Sequence, residues 1–385
     1  MPEGKRGRIV DLFAGCGGMS LGFEMAGFRV SWANELDPSA ADTYEANHPG
    51  TPVVRLDARE IDDWALLSSE DDELPVGVVG GPPCQAFSLC GTRDPNDPRG
   101  SLFMEFVRCV RQLRPKFFAM ENVPGILSMR TKDGDEVAKI IVSTLRDSGY
   151  DVFPEVVDAA DCGVPQHRER VFFLGFDETL GVDQGDVFLP AGADSHVPAW
   201  AAISDLPLVE SGDGDDEQPY PSPPLNPYQS WAREGSPSVT SHVAMRHTKR
   251  LIARFKEIAP GQSVADVPEE HSAVRRGDAK VKSGKVYAQN NMRVRADRPC
   301  PTVAASFQSS FLHPFLHRNF TAREAARIQS FPDRYSFRGA RTKMSWEKGL
   351  SQYQQIGNAV PPLMAKAVAE AVARAMSLAA SRKGS

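Results

Sequence analysis

Short apolar runs at residues 8–13, 29–34, 76–80, 116–120, 152–157 and 170–176 are separated by segments whose apolar residues recur at helical spacing. This pattern predicts strands alternating with helices. Leu102, Phe103, Phe106, Val107, Val110 and Leu113 fall on one stripe, which a period of 3.6 places against the sheet. Such alternation predicts an α/β fold, a mostly parallel sheet covered by helices on both faces. From residue 177 to 314 the pattern decays, and the proline-rich run at 219–227 sustains neither a helix nor a central strand. A separate, loop-rich domain is expected there. Order returns at Thr321, where Thr321-Ala322-Arg323-Glu324 has capping-box spacing and opens a helix through Gln329. A last stripe, Leu363, Met364, Ala367, Val368, Ala371 and Val372, needs a surface to pack on, most simply the first domain. The expected organisation is 1–176, then 177–314, then a return segment, 315–385, that completes the first domain.

With 385 residues, 41% of them hydrophobic and 24% charged, the chain can bury a sizeable core, which excludes collagenous and fully disordered classes. No run of 18 apolar residues occurs and no apolar segment follows the basic start, so no membrane association and a cytoplasmic setting are expected. Six cysteines, Cys16, Cys84, Cys90, Cys109, Cys162 and Cys300, form no C-x-x-C pair. Neither a metal site nor a disulfide framework is expected, and one thiol is open to act as a nucleophile. The net charge of −6 carries no global sign of a nucleic-acid binder. Its distribution is uneven: residues 241–300 hold 13 Lys/Arg against 6 Asp/Glu, while 203–218 hold six acidic residues and no basic one.

The chemistry concentrates where strands end. The first strand runs into Phe13-Ala14-Gly15-Cys16-Gly17-Gly18, a turn that lets backbone approach a ligand at the carboxyl edge of the sheet. The dinucleotide fingerprint would require glycine at position 20, which is Ser20, so a nucleoside without a pyrophosphate fits better. Glu35 ends the second strand about 20 residues on, where an acid bonds ribose hydroxyls. After the third apolar run comes Gly80-Gly81-Pro82-Pro83-Cys84, whose prolines fix the approach to a thiol suited to nucleophilic attack. Glu121-Asn122-Val123-Pro124 follows the next strand, and its carboxyl group can exchange protons with a ring nitrogen and bond an exocyclic amine. Arg168 and Arg170, two apart in Gly163-Val164-Pro165-Gln166-His167-Arg168-Glu169-Arg170, offer one cation to a substrate and one to phosphate.

In this order the motifs resemble those of bacterial DNA (cytosine-5)-methyltransferases: DLFAGCGGMSLGFEMAGF at 11–28, GGPPCQAFS at 80–88, ENVPGIL at 121–127, GVPQHRER at 163–170, TAREAARIQSFPD at 321–333 and QQIGNAVPP at 354–362. The resemblance covers nearly the whole chain. It implies a Rossmann-like S-adenosylmethionine-dependent catalytic domain at 1–176 and 315–385, with a target-recognition domain at 177–314.

Residue by residue, the resemblance implies a cofactor pocket of Phe13, Gly15, Gly17, Gly18, Glu35, Asp57, Asn358 and Val360 for S-adenosylmethionine and its product S-adenosylhomocysteine. It implies Cys84 as the nucleophile, Glu121 on N3 and N4 of cytosine, and Arg170 with Arg168 at the base and its backbone. DNA contacts are expected from Gln85, Ser88, Arg293, Arg295 and Thr302. The implied activity is methylation of carbon 5 of a flipped cytosine in a specific duplex sequence, through a covalent bond from Cys84 to C6. A bacterial, nucleoid-associated monomer is expected, protecting host DNA beside a cognate restriction endonuclease. Three alternatives stay open on residues alone: a transfer-RNA cytosine methyltransferase, an inactive DNA-binding homologue and a nicotinamide-dependent oxidoreductase.

Overall fold

The computed structural model describes residues 6–65, 74–83, 101–131, 133–272, 274–275, 278–282, 290–343 and 348–383, with backbone alone at 101, 274–275, 278–282 and 307. Two compact units emerge. One comprises Met1–Cys162, Glu169–Ala193 and Val360–Ser385, the other Gly163–Arg168 and Asp194–Ala359.

The first unit is built on a seven-stranded sheet of β1 (Arg8–Leu12), β2 (Arg29–Asn34), β3 (Val53–Val54), β4 (Gly77–Gly80), β5 (Phe117–Asn122), β6 (Tyr150–Asp158) and β7 (Glu169–Asp177). Their order is β3-β2-β1-β4-β5-β7-β6. The first five strands pair in parallel, and β7 runs antiparallel to both β5 and β6. The winding direction reverses between β1 and β4, and open α/β sheets bind ligands outside the carboxyl ends of strands at such a switch. Leu12, Gly80 and Met120 are register partners across β1, β4 and β5, so the three loops that follow leave one edge side by side.

Helices α1 (Gly18–Met25), α2 (Pro38–Asn47), α3 (Ser101–Leu113) and α4 (Val137–Arg146) accompany these strands. The apolar stripe of α3 is core: Phe103, Phe106, Val107, Val110 and Leu113 are buried among Val78, Phe118, Met120 and Tyr150. The C-terminal helix, Pro362–Lys383, packs on α1. Contact there requires glycine, because a Cβ on Gly22 would lie 2.4 Å from Ala365 Cβ and 2.5 Å from Pro362 O. The same helix is tied at its far end by Arg382, which donates to Asp186 and to Gly181 O.

The second unit contains α5 (Ala199–Ile203), α6 (Pro227–Ala232), α7 (Lys249–Lys256), α8 (Ala322–Ile328) and α9 (Gln352–Asn358). Three short pairs complete it: β8 (Glu217–Gln218) with β9 (Val239–Thr240), β10 (Val274–Arg275) with β11 (Asp278–Lys282), and β12 (Met292–Arg293) with β13 (Phe311–Leu312). With little regular structure, its interior is organised by buried ion pairs. Arg318 donates to both carboxylate oxygens of Glu324 at 2.8 and 2.7 Å, and Arg327 joins Asp333 and Asp205. Buried charges persist only when paired and hydrogen-bonded in this way. The capping box at Thr321 and Glu324 forms as the spacing predicts.

The compact units are cut elsewhere than at 176/177 and 314/315. Residues 177–193 stay with the first unit, where Asp183 and Asp186 meet Arg382. Helices α8 and α9 stay with residues 194–314, since Arg327 bonds Asp205 and Tyr228 donates to Arg327 O. Among the described residues, no helix is long and apolar enough to cross a membrane.

Candidate active site

At the end of β1 the chain turns sharply. Phe13 adopts φ 58°, Gly15 φ 57° and Gly17 φ 89°, and Gly17 is the N-cap of α1. A non-glycine residue held in the left-handed region stores strain of the kind that gathers at ligand sites. Glu35, just past β2, closes the turn from the neighbouring strand: its Oε2 accepts from Gly15 N at 2.8 Å and its Oε1 from Asp37 N at 2.7 Å. Burial raises the Glu35 pKa, while the bonds from Asp37 and Gly15 oppose the shift. An added Cβ on Gly15 would meet no described atom within 4 Å, so the turn borders open space on that side.

Asn34, buried at the end of β2, was not singled out by sequence reasoning. Its side-chain amide donates to Val54 O at 2.9 Å and Leu56 O at 2.8 Å, which holds the segment carrying Asp57 beside Glu35. The signal was available, since an amide preceding a strand-end acid has two donors for neighbouring carbonyls. Asp57 caps the short turn at Ala58–Glu60 and accepts from Arg59, whose guanidinium holds its pKa below the usual carboxylate range.

A second group of side chains meets at the ends of β5 and β7. Arg170 Nε lies 2.8 Å from Glu121 Oε1, and both side chains are largely buried. The loop after β4 comes close to the same carboxylate, for a Cβ on Gly81 would stand 3.0 Å from Glu121 Oε2. Asn122 pins that loop: its Nδ2 donates to Pro82 O at 3.1 Å, and its Oδ1 accepts from Val123 N at 2.9 Å. Asn122 is thus a second positioning residue that the sequence reading passed over. Cys84, Gln85 and Ser88 lie outside the described residues, directly after this pinned segment.

In the second unit, two arginines expected at the reaction or on DNA have other work. Arg168 is 1% exposed, and its guanidinium donates to Val303 O at 2.7 Å and to Gly357 O and Ala359 O at 3.1 Å. It cross-links the main chain around α9. Arg293 is also buried, and its donors reach Ile258 O, His313 O, Leu316 O, Phe255 O and His317 Nδ1. Five acceptors match the five N–H groups of a guanidinium, so every donor is engaged within the chain. Arg295 is exposed and paired with Asp297 at 3.0 Å. Thr302 is exposed and donates to His167 O at 2.9 Å. Asn358 is the exposed last residue of α9, and Val360 is buried at the start of the returning segment of the first unit.

The α/β sheet thus brings a glycine turn, a strand-end acid and a carboxylate–arginine pair to one edge. The model of the C-5 cytosine-specific DNA methylase family matches residues 7–374. The chain is 54% identical over 366 residues to type II methyltransferase M.DdeI of Desulfomicrobium norvegicum, covering 94% of this chain and 88% of the relative. Type II methyltransferase M1.HphI of Haemophilus parahaemolyticus is 34% identical over 94% of this chain and 86% of its own. Among solved structures, a DNA modification methyltransferase encoded within an E. coli prophage superposes with a TM-score of 0.74 at 28% identity, covering 94% of this chain and 97% of its own. Spodoptera frugiperda DNMT2, at 14% identity and a TM-score of 0.55 over 95% of this chain and 99% of its own, shares the fold. The chain belongs to the C-5 cytosine-specific DNA methylase family and is a DNA (cytosine-5-)-methyltransferase.

Proposed function

We propose that this enzyme methylates carbon 5 of a cytosine flipped out of a specific duplex sequence, with S-adenosylmethionine as donor and Cys84 as nucleophile. The observation that carries the reading is the meeting of Glu121, Arg170 and the Gly81–Pro82 approach to Cys84 on the sheet edge that also bears the glycine turn. The fit of the donor rests on the same edge. Gly15 faces open space among the described residues, Glu35 closes the turn through Gly15 N and is the proposed ribose-hydroxyl ligand, and Phe13 and Asp57 are proposed to complete the pocket. When bound there, S-adenosylmethionine supplies an electrophilic methyl group on a sulfonium centre. Gly17, Gly18, Asn358 and Val360 complete the proposed set of donor-binding residues, and the catalytic domain is proposed as 1–176 with 315–385.

Cytosine C5 is a weak nucleophile, which dictates the order of events. The Cys84 thiolate adds to C6, forming a C–S bond and pushing electron density toward C5 and N3. Glu121 holds N3 and the exocyclic amine and relieves the charge that builds on the ring. Arg170 keeps the Glu121 carboxylate in place and is the proposed contact to the base and its backbone. C5 would then take the methyl group as the donor's S–CH3 bond breaks and its electron pair stays on sulfur, leaving the neutral thioether; a base removes the C5 proton, and the electrons of that C–H bond re-form the C5–C6 double bond as Cys84 leaves. Extrusion is required because these groups cannot reach a base inside the stack, and it costs a few kcal/mol.

Recognition is assigned to residues 177–314, whose basic half neutralises phosphates, with Arg295 and Thr302 as exposed candidates beside Gln85 and Ser88. Protection of host DNA beside a cognate restriction endonuclease is the proposed biological role, supported by the type II relatives. The test incubates the full chain with duplexes containing 5-fluorocytosine and the donor. A covalent adduct mapping to position 84, absent in Cys84→Ala, is expected, and donor binding without any adduct would overturn the mechanism. Bisulfite sequencing of methylated plasmid gives the cytosine context.

A further inference from the structure

We propose, on the basis of the donor site assigned above, that Asp11, Ser20 and Tyr44 form a buried positioning network in which the charge on Asp11 strengthens binding of a sulfonium ligand. Ser20 Oγ lies 2.6 Å from Asp11 Oδ2 and 2.7 Å from Tyr44 OH. Asp11 comes from β1, two residues before Phe13, and Ser20 from the first turn of α1. Their bond therefore staples together the two ends of the glycine turn. Tyr44 reaches in from α2, and all three residues are at most 1% exposed.

A carboxyl group sealed away from water is costly unless a role retains it. Serine has one hydroxyl proton, so with Asp11 ionised the chain runs one way, Tyr44 donating to Ser20 and Ser20 to Asp11. Protonation of Asp11 permits the reverse order and loosens the staple. Burial pushes the Asp11 carboxyl up to about 7, opposed by its bonds to Ser20 and reinforced by Glu35 and Glu24. The charged groups that face it are Glu35 past β2 and Glu24 on α1, the latter 2.9 Å from His48 Nδ1 of the segment after α2. His48 stacks on the Tyr44 ring at 4.3 Å. A cation bound at the turn favours the ionised form of Asp11, so by linkage the donor binds more tightly as pH rises through neutrality. The thioether product lacks the sulfonium charge and gains less.

The test is calorimetric titration of the full chain with S-adenosylmethionine and, separately, S-adenosylhomocysteine, between about pH 6 and about pH 8.5. Donor affinity is expected to rise roughly fivefold more than product affinity across that range. Asp11→Asn should remove this difference, and its effect on turnover should fall on KM for the donor more than on kcat. Ionisation of the donor itself is common to both proteins and cancels in the comparison. Tyr44→Phe, which keeps the Ser20–Asp11 bond, should move the midpoint to higher pH. Equal pH dependence in wild type and Asp11→Asn, or an unmoved midpoint in Tyr44→Phe, would overturn the network. Failure of the wild-type chain to bind donor at any pH would instead overturn the donor site itself.

Discussion

Arg170 Nε meets Glu121 Oε1 at 2.8 Å across the antiparallel pair β7 and β5, where β5 still runs parallel to β4 on its other side. The reversal matters, because it brings the beginning of one strand to the end of the other and so sets a cation beside a strand-end carboxylate. Removing either partner should cost more than its own contact. Glu121→Gln is expected to slow single-turnover methyl transfer by about 10²- to 10⁴-fold, the range for loss of a positioned proton donor or acceptor. Arg170→Ala should reduce the rate too, and the double variant should be little slower than Glu121→Gln alone. Tritiated-methyl incorporation into duplex DNA measures all three, and additive losses would show that the pair does not act as a unit.

Arg293 predicts a result opposite to that of a DNA reader. With five acceptors around a buried guanidinium, Arg293→Gln strands several main-chain carbonyls, each costing roughly 1–3 kcal/mol when left unpaired. The thermal midpoint should fall sharply while bisulfite sequencing of the residual activity shows an unchanged cytosine context. A relaxed context at unchanged stability would restore Arg293 to the recognition surface.

His313 makes the second unit sensitive to acid. Its Nδ1 accepts from Phe315 N at 3.1 Å and Leu316 N at 3.0 Å, so that nitrogen carries no proton in the fold. Burial pushes the ring down to about 4 despite the attraction of Glu324. A group whose folded pKa lies below its unfolded value near 6.5 contributes stability that is complete above that value and is lost as pH falls toward 4. Protection against hydrogen exchange at residues 311–320, relative to the unstructured rate at each pH, should therefore fall between about pH 6.5 and about pH 4, and His313→Gln should flatten the dependence.

Gly22 tests the seam between α1 and the C-terminal helix. An added methyl at 2.4 Å from Ala365 Cβ cannot be absorbed by rotating a flexible side chain, since the other close atoms, Pro362 O and Lys366 N, are backbone. Gly22→Ala should destabilise by about 1–3 kcal/mol, the usual cost of overpacking, partly offset by the better helix propensity of alanine. Denaturant titration reads the loss, and combination with Ala365→Gly should recover part of it.

Much of the sheet was legible because its strands are apolar runs bounded by turns. β1, β2, β4, β5, β6 and β7 lie where those runs predict them, and Thr321 with Glu324 marks the start of α8. The two-residue β3 was not, since Val53 and Val54 are only half-buried and leave no periodic trace. Glu35 and the glycine turn could be paired from spacing alone, and the 2.8 Å bond to Gly15 N gives that pairing a geometry. Arg168 and Arg293 are expected at the substrate and on DNA from the motifs that carry them, and their burial is not legible there. Their partners lie far along the chain, Gly357 for one and Phe255 for the other, and a cage of carbonyls leaves no mark in a sequence. Asn34 and Asn122 went unseen for a related reason: each acts on the loop of a neighbouring strand.

The packing of Gly22 on Ala365 joins two segments that lie on either side of the second unit in the chain, and synthesis on the ribosome gives that join a schedule. Helix α1 emerges early, yet the helix that covers it is translated only after the second unit, so a nascent chain carries the glycine turn with one flank bare. Every residue of the second unit has been made before that flank can close. A chain made in this order completes the packing around α1 only once the whole of the second unit has been synthesised.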